Sequence, residues 1–215
     1  MTRFVYAAFT LTLLVPQAAR AQTASDSGTF VIRHARNIVA TEQFSRNGTR
    51  LEGTLFIKDS RNTNQRYLAV VAPDATLPLI EVTVREGTDS AGRKPRITQR
   101  ARVIFKDDSV AVDALGGDGL QSRLFATDRG AVPYLNLSFA LLEQALRRAR
   151  VSPDTTMVAF FNLGGGQTLA ARVTSLGTDS LRLEIGSVEY HLRVDRAGRV
   201  LGARIPAQDL VAERK

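Results

Sequence analysis

The chain has 215 residues, a formal net charge of +8 and no cysteine. The absence of cysteine excludes disulfides, zinc–thiolate sites, iron–sulfur clusters and cysteine nucleophiles. The length is enough for one domain with a sizeable core. The basic residues are spread along the chain rather than clustered, which favours an ordinary arginine-rich surface over a nucleic-acid-binding face. A basic surface also suits acidic partners.

The N-terminus predicts a secretory signal peptide over residues 1–21. Met1–Arg3 is a short basic start, Phe4–Val15 is an apolar run too short to span a membrane, and Ala19–Ala21 places small residues where signal peptidase cleaves. We therefore expect a periplasmic or secreted protein with no transmembrane span in its mature form. Residues 22–28 are small and polar and predict a disordered lead-in to a single β-rich domain over 29–215.

Alternating apolar and polar residues dominate the rest of the chain. Val188, Tyr190, Leu192 and Val194, for example, alternate with polar residues. A period of two predicts strands that bury one face. The predicted strands, in chain order, are 29–34, 38–45, 49–58, 67–72, 79–86, 97–106, 109–115, 120–126, 156–162, 168–175, 180–185, 187–195 and 199–205, with a last segment over 210–213 expected at a sheet edge.

One amphipathic helix over 139–150 interrupts the strands. Asn136 or Ser138 can cap its N-terminus, and Glu143 can pair with Arg147 one turn later. Its apolar stripe, at steps of three and four residues, comprises Phe139, Leu142, Leu146 and Ala149. Many strands joined by tight turns predict a mainly β protein, an antiparallel meander curled into a barrel or half-barrel. The single helix is expected to pack its stripe on the concave face.

Two short segments are apolar on both strand faces: Leu55-Phe56-Ile57 and Ala159-Phe160-Phe161. Such strands are covered on both faces, by a helix, a loop or a ligand. Ordinary core packing explains them, and the functional alternative is an apolar ligand cavity between sheet and helix. The predicted lining of that cavity is Leu55, Ile57, Val82, Phe139, Leu142, Leu146 and Phe161.

Motifs for catalysis are missing from the sequence. It contains neither the G-x-S-x-G nucleophile elbow nor S-x-x-K. The two histidines, His34 and His191, stand far apart in the chain and lack the local spacing of metal ligands. We therefore predict no catalytic residue, metal or cofactor. A hydrolase, the third function class considered, would require one of these histidines beside a carboxylate or a serine.

The predicted layout resembles that of uncharacterised exported bacterial β-rich proteins. The likeness comprises a signal peptide, a curled antiparallel sheet, a mid-chain helix and the hairpin Val194-Asp195-Arg196-Ala197-Gly198-Arg199-Val200 near the end. More distantly, the arrangement is similar to the half-barrels of periplasmic lipoprotein carriers, whose apolar cup holds acyl chains under helices. That resemblance implies a non-enzymatic protein that binds a lipid or another apolar molecule. The alternative is a structural or interaction module of the cell envelope, with a filled core and an acidic partner.

Overall fold

The computed structural model describes residues 25–87, 95–151 and 157–215. The predicted signal peptide, residues 1–21, lies outside the described residues. Within the three described ranges, no helix combines the length and the apolar character that crossing a bilayer requires.

All strands in the described parts of the chain belong to one 15-stranded sheet. The strands that precede the helix are β1 (Asp26–His34), β2 (Asn37–Asn47), β3 (Arg50–Ile57), β4 (Thr63–Val70), β5 (Leu79–Glu86), β6 (Arg96–Lys106), β7 (Ser109–Gly116), β8 (Gly119–Ala126) and β9 (Val132–Tyr134). The helix is α1 (Phe139–Val151). The strands that follow it are β10 (Met157–Asn162), β11 (Gln167–Ser175), β12 (Ser180–Ile185), β13 (Val188–Val194), β14 (Val200–Ile205) and β15 (Leu210–Arg214).

The sheet is a curled meander that does not close into a barrel. Its strand order is β8-β7-β6-β5-β4-β3-β2-β1-β15-β14-β13-β12-β11-β10-β9, so β8 and β9 are its two edges. Every pair of neighbours is antiparallel except β9 and β10, which run parallel. Register shifts at Ile32/Arg33, Val84/Arg85 and Arg193/Val194 interrupt three of the ladders. Such bulges bend strands and increase their twist, which favours the curl. The predicted class, a mainly β half-barrel with one helix, is confirmed.

The last strand occupies a different position from the one predicted. The sequence placed 210–213 at a sheet edge, whereas β15 lies in the middle of the sheet, between β14 and β1. Ile32 pairs with Ala212 and His34 with Leu210. The pairing of the first strand, β1, with the last strand, β15, joins β1–β8 to β10–β15 in one sheet. A local sequence pattern cannot identify a partner so far away in the chain.

Three strands begin or occur where none was predicted, and one of them is β4, which starts at Thr63 rather than at Tyr67. β1 starts at Asp26, so Asp26–Gly28 belong to the sheet rather than to a disordered lead-in. The reason is tertiary: Asp26 pairs with Arg46 of β2 and accepts from Arg214 of β15. The three-residue β9 was missed because it contains Pro133, which interrupts a strand pattern. At an outer edge of a sheet, a proline lacking N–H is tolerated.

Helix α1 is buried to a greater extent than its apolar stripe predicts. All eight residues from Phe139 to Leu146 are buried, including Glu143 and Gln144. Ser138 caps the helix, because the Leu141 backbone N–H donates to Ser138 Oγ at 3.4 Å. Ser138 was one of the two capping residues predicted from the sequence. The Gln144 amide donates to the Ala75 carbonyl at 2.9 Å. A helix buried on every side must satisfy its polar groups inside the protein, and α1 does so through the loops and strands around it.

Candidate functional site

Two regions of the described structure bring distant parts of the chain together. The first is the ion network, which we define as Asp26, Arg46, Glu143, Arg147 and Arg214. The second is the seam, where β6 and β8 face β10 and β11. The ion network lies where β1, β2 and β15 meet the helix, and the seam lies where the two ends of the sheet approach each other.

Glu143 is the centre of the ion network. Its side chain is fully buried, and its Oε1 accepts from Arg46 at 2.5 Å and from Arg147 at 3.2 Å. Its Oε2 accepts from Arg214 at 3.1 Å and from the backbone N–H of Val200 at 2.8 Å. The pairing of Glu143 with Arg147, predicted from their spacing, is therefore present, and two further arginines from the sheet share the same carboxylate.

Asp26 completes the network from the first strand. Its carboxylate accepts from Arg214 at 2.5 Å and lies 3.4 Å from both Arg46 and Arg147. Burial lowers the pKa of Arg46, and the charge of Glu143 opposes that shift. Because an arginine stays ionised in proteins and both carboxylates are already surrounded by donors, the network holds the helix and the two terminal strands together rather than offering a place for a ligand.

A second buried carboxylate, Glu42 of β2, binds the N-terminus of α1. Its Oε2 accepts from the backbone N–H of Phe139 at 2.7 Å and of Ala140 at 3.1 Å. Its Oε1 accepts from the hydroxyls of Tyr67 at 2.7 Å and Ser138 at 2.5 Å. Burial raises the pKa of Glu42, and these four hydrogen bonds act against that rise. A negative group here satisfies N–H groups that the first helical turn leaves free.

The seam is closed by aromatic side chains instead of main-chain hydrogen bonds. The Phe161 ring of β10 lies 5.8 Å from that of Phe105 and 5.6 Å from that of Phe125, centroid to centroid. A hydroxyl–hydroxyl hydrogen bond of 2.8 Å joins Thr168 to Thr127 nearby. Side chains alone fill such a contact less completely than a continued ladder would, and the seam is bordered by cavities.

We call the cavity on the glycine-rich side of these rings the seam cleft, and its volume is about 210 Å³. Its lining combines five apolar side chains with the backbone of three glycines and three polar side chains. Arg123 is the one charged residue in that lining, and its guanidinium donates to the Gln121 side chain at 3.1 Å. The lining residues are Gln99, Val112, Ala114, Gln121, Arg123, Phe125, Phe161, Leu163, Gly164, Gly165 and Gly166.

The glycine turn after β10 allows the backbone to approach the cleft closely. Gly166 has a φ of +64°, and a Cβ added there would lie 2.6 Å from Cε1 of Phe125. Glycine adopts this left-handed conformation without steric cost. Any side chain at Gly166 would therefore push Phe125 away and disturb the floor of the seam cleft.

Two further cavities flank the seam on the side of Phe105. One, of about 280 Å³, lies between Phe105, Leu77 and Arg148, and the other, of about 380 Å³, is lined in part by Ala159 and Ala149. Asp128, Arg129, Gly130 and Arg148 line both of them. The seam is therefore a cluster of three phenylalanines with open space on either side and basic residues near each opening.

Six of the seven predicted lining residues lie away from the seam. Leu55, Val82, Phe139, Leu142 and Leu146 are buried core residues, and Ile57 packs against that core. None of these six lines the three cavities that border the seam. Phe161, the seventh, lies in the seam cleft. The helix and sheet pack directly on each other at the predicted positions.

The sequence signal that marked Phe161 is informative in hindsight. Phe160 and Phe161 are both fully buried, on opposite faces of β10. Phe160 faces the interior beside Tyr134, whereas Phe161 is covered by Phe105 and Phe125 of the opposite sheet end. The other such segment behaves differently, because Phe56 remains 45% exposed. Residues such as Gln99, Val112 and Ala114 gave no comparable signal, since they alternate as in any half-buried strand.

The histidines carry no recognisable site. His34 ends β1, and His191 on β13 bonds to Glu189 on the same strand. Among the described residues, no three His, Asp or Glu side chains are grouped so that they could hold a metal ion.

Comparison with known proteins supports the fold. A crystal structure of a DUF1089 family protein from Pseudomonas aeruginosa is similar to this chain, with a TM-score of 0.54 and 14% sequence identity. The similarity covers 80% of this chain and 91% of that one. No protein-family model and no curated protein matches the sequence. At this identity the likeness concerns the fold, and it agrees with the predicted relation to an uncharacterised β-rich domain family.

Proposed function

We propose that the protein is a non-enzymatic binding protein for an amphipathic molecule, with an apolar chain held in the seam cleft and an anionic head group near Arg123. The observation that carries this proposal is the open cleft beside the apolar rings of Phe125 and Phe161, with Arg123 in its lining. The ligand class is the one expected from the sequence. Its position differs, because the interface between helix and sheet is filled.

The lining chemistry suits a chain with a polar end. Small-molecule sites are mainly apolar, with a few polar groups that fix orientation. Val112, Ala114 and Leu163 supply apolar contacts, and the glycines bring the backbone close without adding side chains. The cleft is smaller than a typical drug-sized site, so only part of a long chain would be enclosed, with the rest reaching the surface.

Arg123 supplies the preference for an anionic head group. It is exposed, and its one side-chain hydrogen bond in the described structure goes to the neutral Gln121. A carboxylate or phosphate at the opening would gain a charge-assisted hydrogen bond. No other charged side chain lines the cleft to compete for it.

Displacement of a dansyl-labelled fatty acid tests the proposal. The labelled probe is expected to bind with enhanced fluorescence and to be displaced by lauric acid. Ala114→Phe places a ring in the cleft and should weaken probe binding at least tenfold. The matched control is Ala111→Phe on the opposite face of the same strand, which should leave binding unchanged. Absence of binding, or equal loss in both variants, would refute the proposal.

The head-group preference has a separate test. Lauric acid should displace the probe better than the corresponding alcohol, and Arg123→Gln should abolish that difference while the alcohol competes as before. Equal competition by acid and alcohol in the unchanged protein would show that Arg123 does not bind the head group. It would leave the proposed binding of the apolar chain in the cleft unaffected.

Export is part of the same proposal. The basic start, the short apolar run and the Ala19-Arg20-Ala21 sequence support secretion to the periplasm or beyond. N-terminal sequencing of the mature protein is expected to begin at Gln22. Recovery of the protein in the cytoplasm with Met1 retained would contradict export and would leave the ligand proposal to its own test.

A second candidate is a structural or interaction module of the cell envelope. The observation that favours it is the complete burial of Phe139–Leu146 against the sheet, which fills the interior. In that case the fatty-acid probe fails to bind, and the basic surface binds an acidic partner. Heparin can serve as the acidic probe, and binding through surface charge should weaken as salt is added.

A further inference from the structure

The outer edge of the sheet at β8 combines free main-chain groups with exposed leucines. β8 pairs only with β7 in the strand order, and its first six residues, Gly119–Leu124, are all exposed. Leu120 and Leu124 are 68% and 74% exposed, the two highest values among the large apolar residues described. Unpaired edge strands of this kind are templates for another strand.

We infer that β8 pairs antiparallel with β8 of a second copy of this chain, about a two-fold axis at Ser122. The inference concerns assembly and does not require the proposed ligand, although Gln121 and Arg123 of this edge also line the seam cleft. It rests on the self-complementarity of the strand, which the register makes explicit.

A two-fold axis perpendicular to the sheet keeps equivalent faces on the same side. Each residue must then face one of the same parity on the second copy. With the axis at Ser122, Leu120 faces Leu124 of the second copy, and Leu124 faces its Leu120. On the other face, Gln121 faces Arg123 of the second copy. Directly opposite apolar pairs stabilise a sheet, and this register places no like charges opposite each other.

Neighbouring registers are poorer. An axis at Arg123 would set the two Arg123 side chains against each other, which is unfavourable for like charges. An axis at Gln121 would set Leu120 against Ser122 of the second copy and lose both leucine pairs. The end of β8 sets a further limit, because Phe125 and Thr127 already contact Phe161 and Thr168. The free segment is therefore Leu120–Leu124, which is centred on Ser122.

The neighbouring strand extends the leucine contact into a row. Leu115, 49% exposed, lies opposite Leu120, and Ala111 lies opposite Leu124. Ile104, 38% exposed, continues the row from Ala111 onto β6. Across the axis, Leu115 and Leu120 of one copy are thus followed by Leu124, Ala111 and Ile104 of the other. A second, equivalent row lies on the far side of Ser122.

Sedimentation analysis of the purified mature protein tests the assembly. The apparent mass should rise with concentration toward twice that of one chain, since a five-residue strand contact predicts a weak, reversible dimer. Leu120→Lys with Leu124→Lys should weaken the dimer at least tenfold. Leu176→Lys is the matched control, because Leu176 is 53% exposed and lies outside this edge. A monomer at all concentrations, or a dimer unaffected by the double change, would overturn the inference.

The register has its own test. Because the chain contains no cysteine, an introduced cysteine is the only thiol that can form a disulfide. Ser122→Cys places one thiol per chain at the axis, where directly opposite Cα atoms lie within disulfide range. Mild oxidation should cross-link Ser122→Cys at least tenfold faster than Leu176→Cys. Equal rates would reject the pairing at Ser122.

Discussion

Distant parts of the chain meet at two junctions, and the two junctions are held by different kinds of contact. At the first, β1 and β15 continue the sheet through five residue pairs, Phe30–His34 with Leu210–Arg214. The ion network then fastens both strands to α1. At the second, the seam, the described contacts are the rings of Phe105, Phe125 and Phe161 and one hydrogen bond between threonines. The first junction is filled, and the second is bordered by cavities.

The difference indicates that the first junction contributes mainly to stability, whereas the seam has space for a ligand. Continuous ladders satisfy the backbone and leave side chains to pack. A contact made by side chains alone leaves gaps wherever their shapes do not match. We therefore expect substitutions at the first junction to act on stability, and those at the seam to act more on binding.

The largest effect is expected from Glu143→Gln in the ion network. The change removes the carboxylate charge shared by Arg46, Arg147 and Arg214. Arg46 and Arg214 are only 6% and 10% exposed, so their charges would be left with Asp26 alone. Removing one partner of a buried ion pair costs about 3–5 kcal/mol. Urea denaturation should show a loss of that size.

The control for Glu143→Gln is the same change at Glu52. Glu52 pairs with Arg50 at 3.1 Å on the surface, where both side chains are more than a third exposed. Exposed pairs contribute about 0–1 kcal/mol, so Glu52→Gln should be nearly neutral. Equal losses in the free energy of unfolding at the two positions would mean that the ion network does not stabilise the first junction.

Truncating one phenylalanine at each junction compares them directly. Phe30 and Phe161 are both fully buried, and each lies within 6 Å of two other rings, centroid to centroid. Phe→Ala costs about 3–5 kcal/mol, depending on how well the site relaxes. Phe30→Ala should fall near the upper end, because its surroundings are filled. Phe161→Ala should fall near the lower end, because water from the seam cleft can enter.

The same experiment can fail informatively. If thermal and urea unfolding give equal losses for Phe30→Ala and Phe161→Ala, the seam is as tightly packed as the first junction. The seam cleft would then be too rigid or too closed to accept a chain. Fatty-acid binding by Phe161→Ala should also be altered, whereas Phe30→Ala should bind normally at temperatures where it remains folded.

The sequence predicted most of the strands because half-buried strands have a strong local pattern. Leu79–Glu86 and Ser180–Ile185 agree residue for residue with the predicted bounds. What the pattern cannot report is which strands become neighbours. The central position of β15 and the parallel pairing of β9 depend on contacts between residues far apart in sequence. The predicted edge strand was therefore wrong, although its existence was right.

The candidate site shows the same limit. Phe161 could be selected because both faces of its strand are apolar, and the helix stripe correctly marked buried residues. The stripe could not reveal that Glu143 and Gln144 are buried as well, since their partners Arg214, Arg46 and Ala75 come from other parts of the chain. A seam made by two distant sheet ends has no sequence signature until the curl is known.

A smaller effect is expected from Gly166→Ala in the turn that borders the seam cleft. The positive φ of +64° and the 2.6 Å approach to Phe125 should together cost about 1–3 kcal/mol. Gly117→Ala is the control, because a Cβ there meets nothing within 4 Å. It should change the free energy of unfolding by less than about 0.5 kcal/mol. If Gly166→Ala were equally harmless, the glycine turn would not be what shapes the cleft.

The smallest effect concerns the pH dependence of stability that arises from Glu42 at the N-terminus of α1. Burial raises its pKa above the ordinary 4.5 despite hydrogen bonds from Ser138, Tyr67 and two backbone N–H groups. A carboxyl whose pKa is raised on folding stabilises the fold fully below its unfolded pKa, and that contribution is lost as pH rises through the folded pKa. Glu42→Gln keeps the shape and cannot titrate. The stability of the unchanged protein relative to Glu42→Gln should therefore be greatest below about pH 4.5 and decrease at higher pH.

Urea unfolding of both proteins across that range measures the difference, in which the titration of all other carboxyls cancels. A difference that grows with pH would show that the four donors outweigh burial, and that the ionised carboxylate is the form that holds the helix.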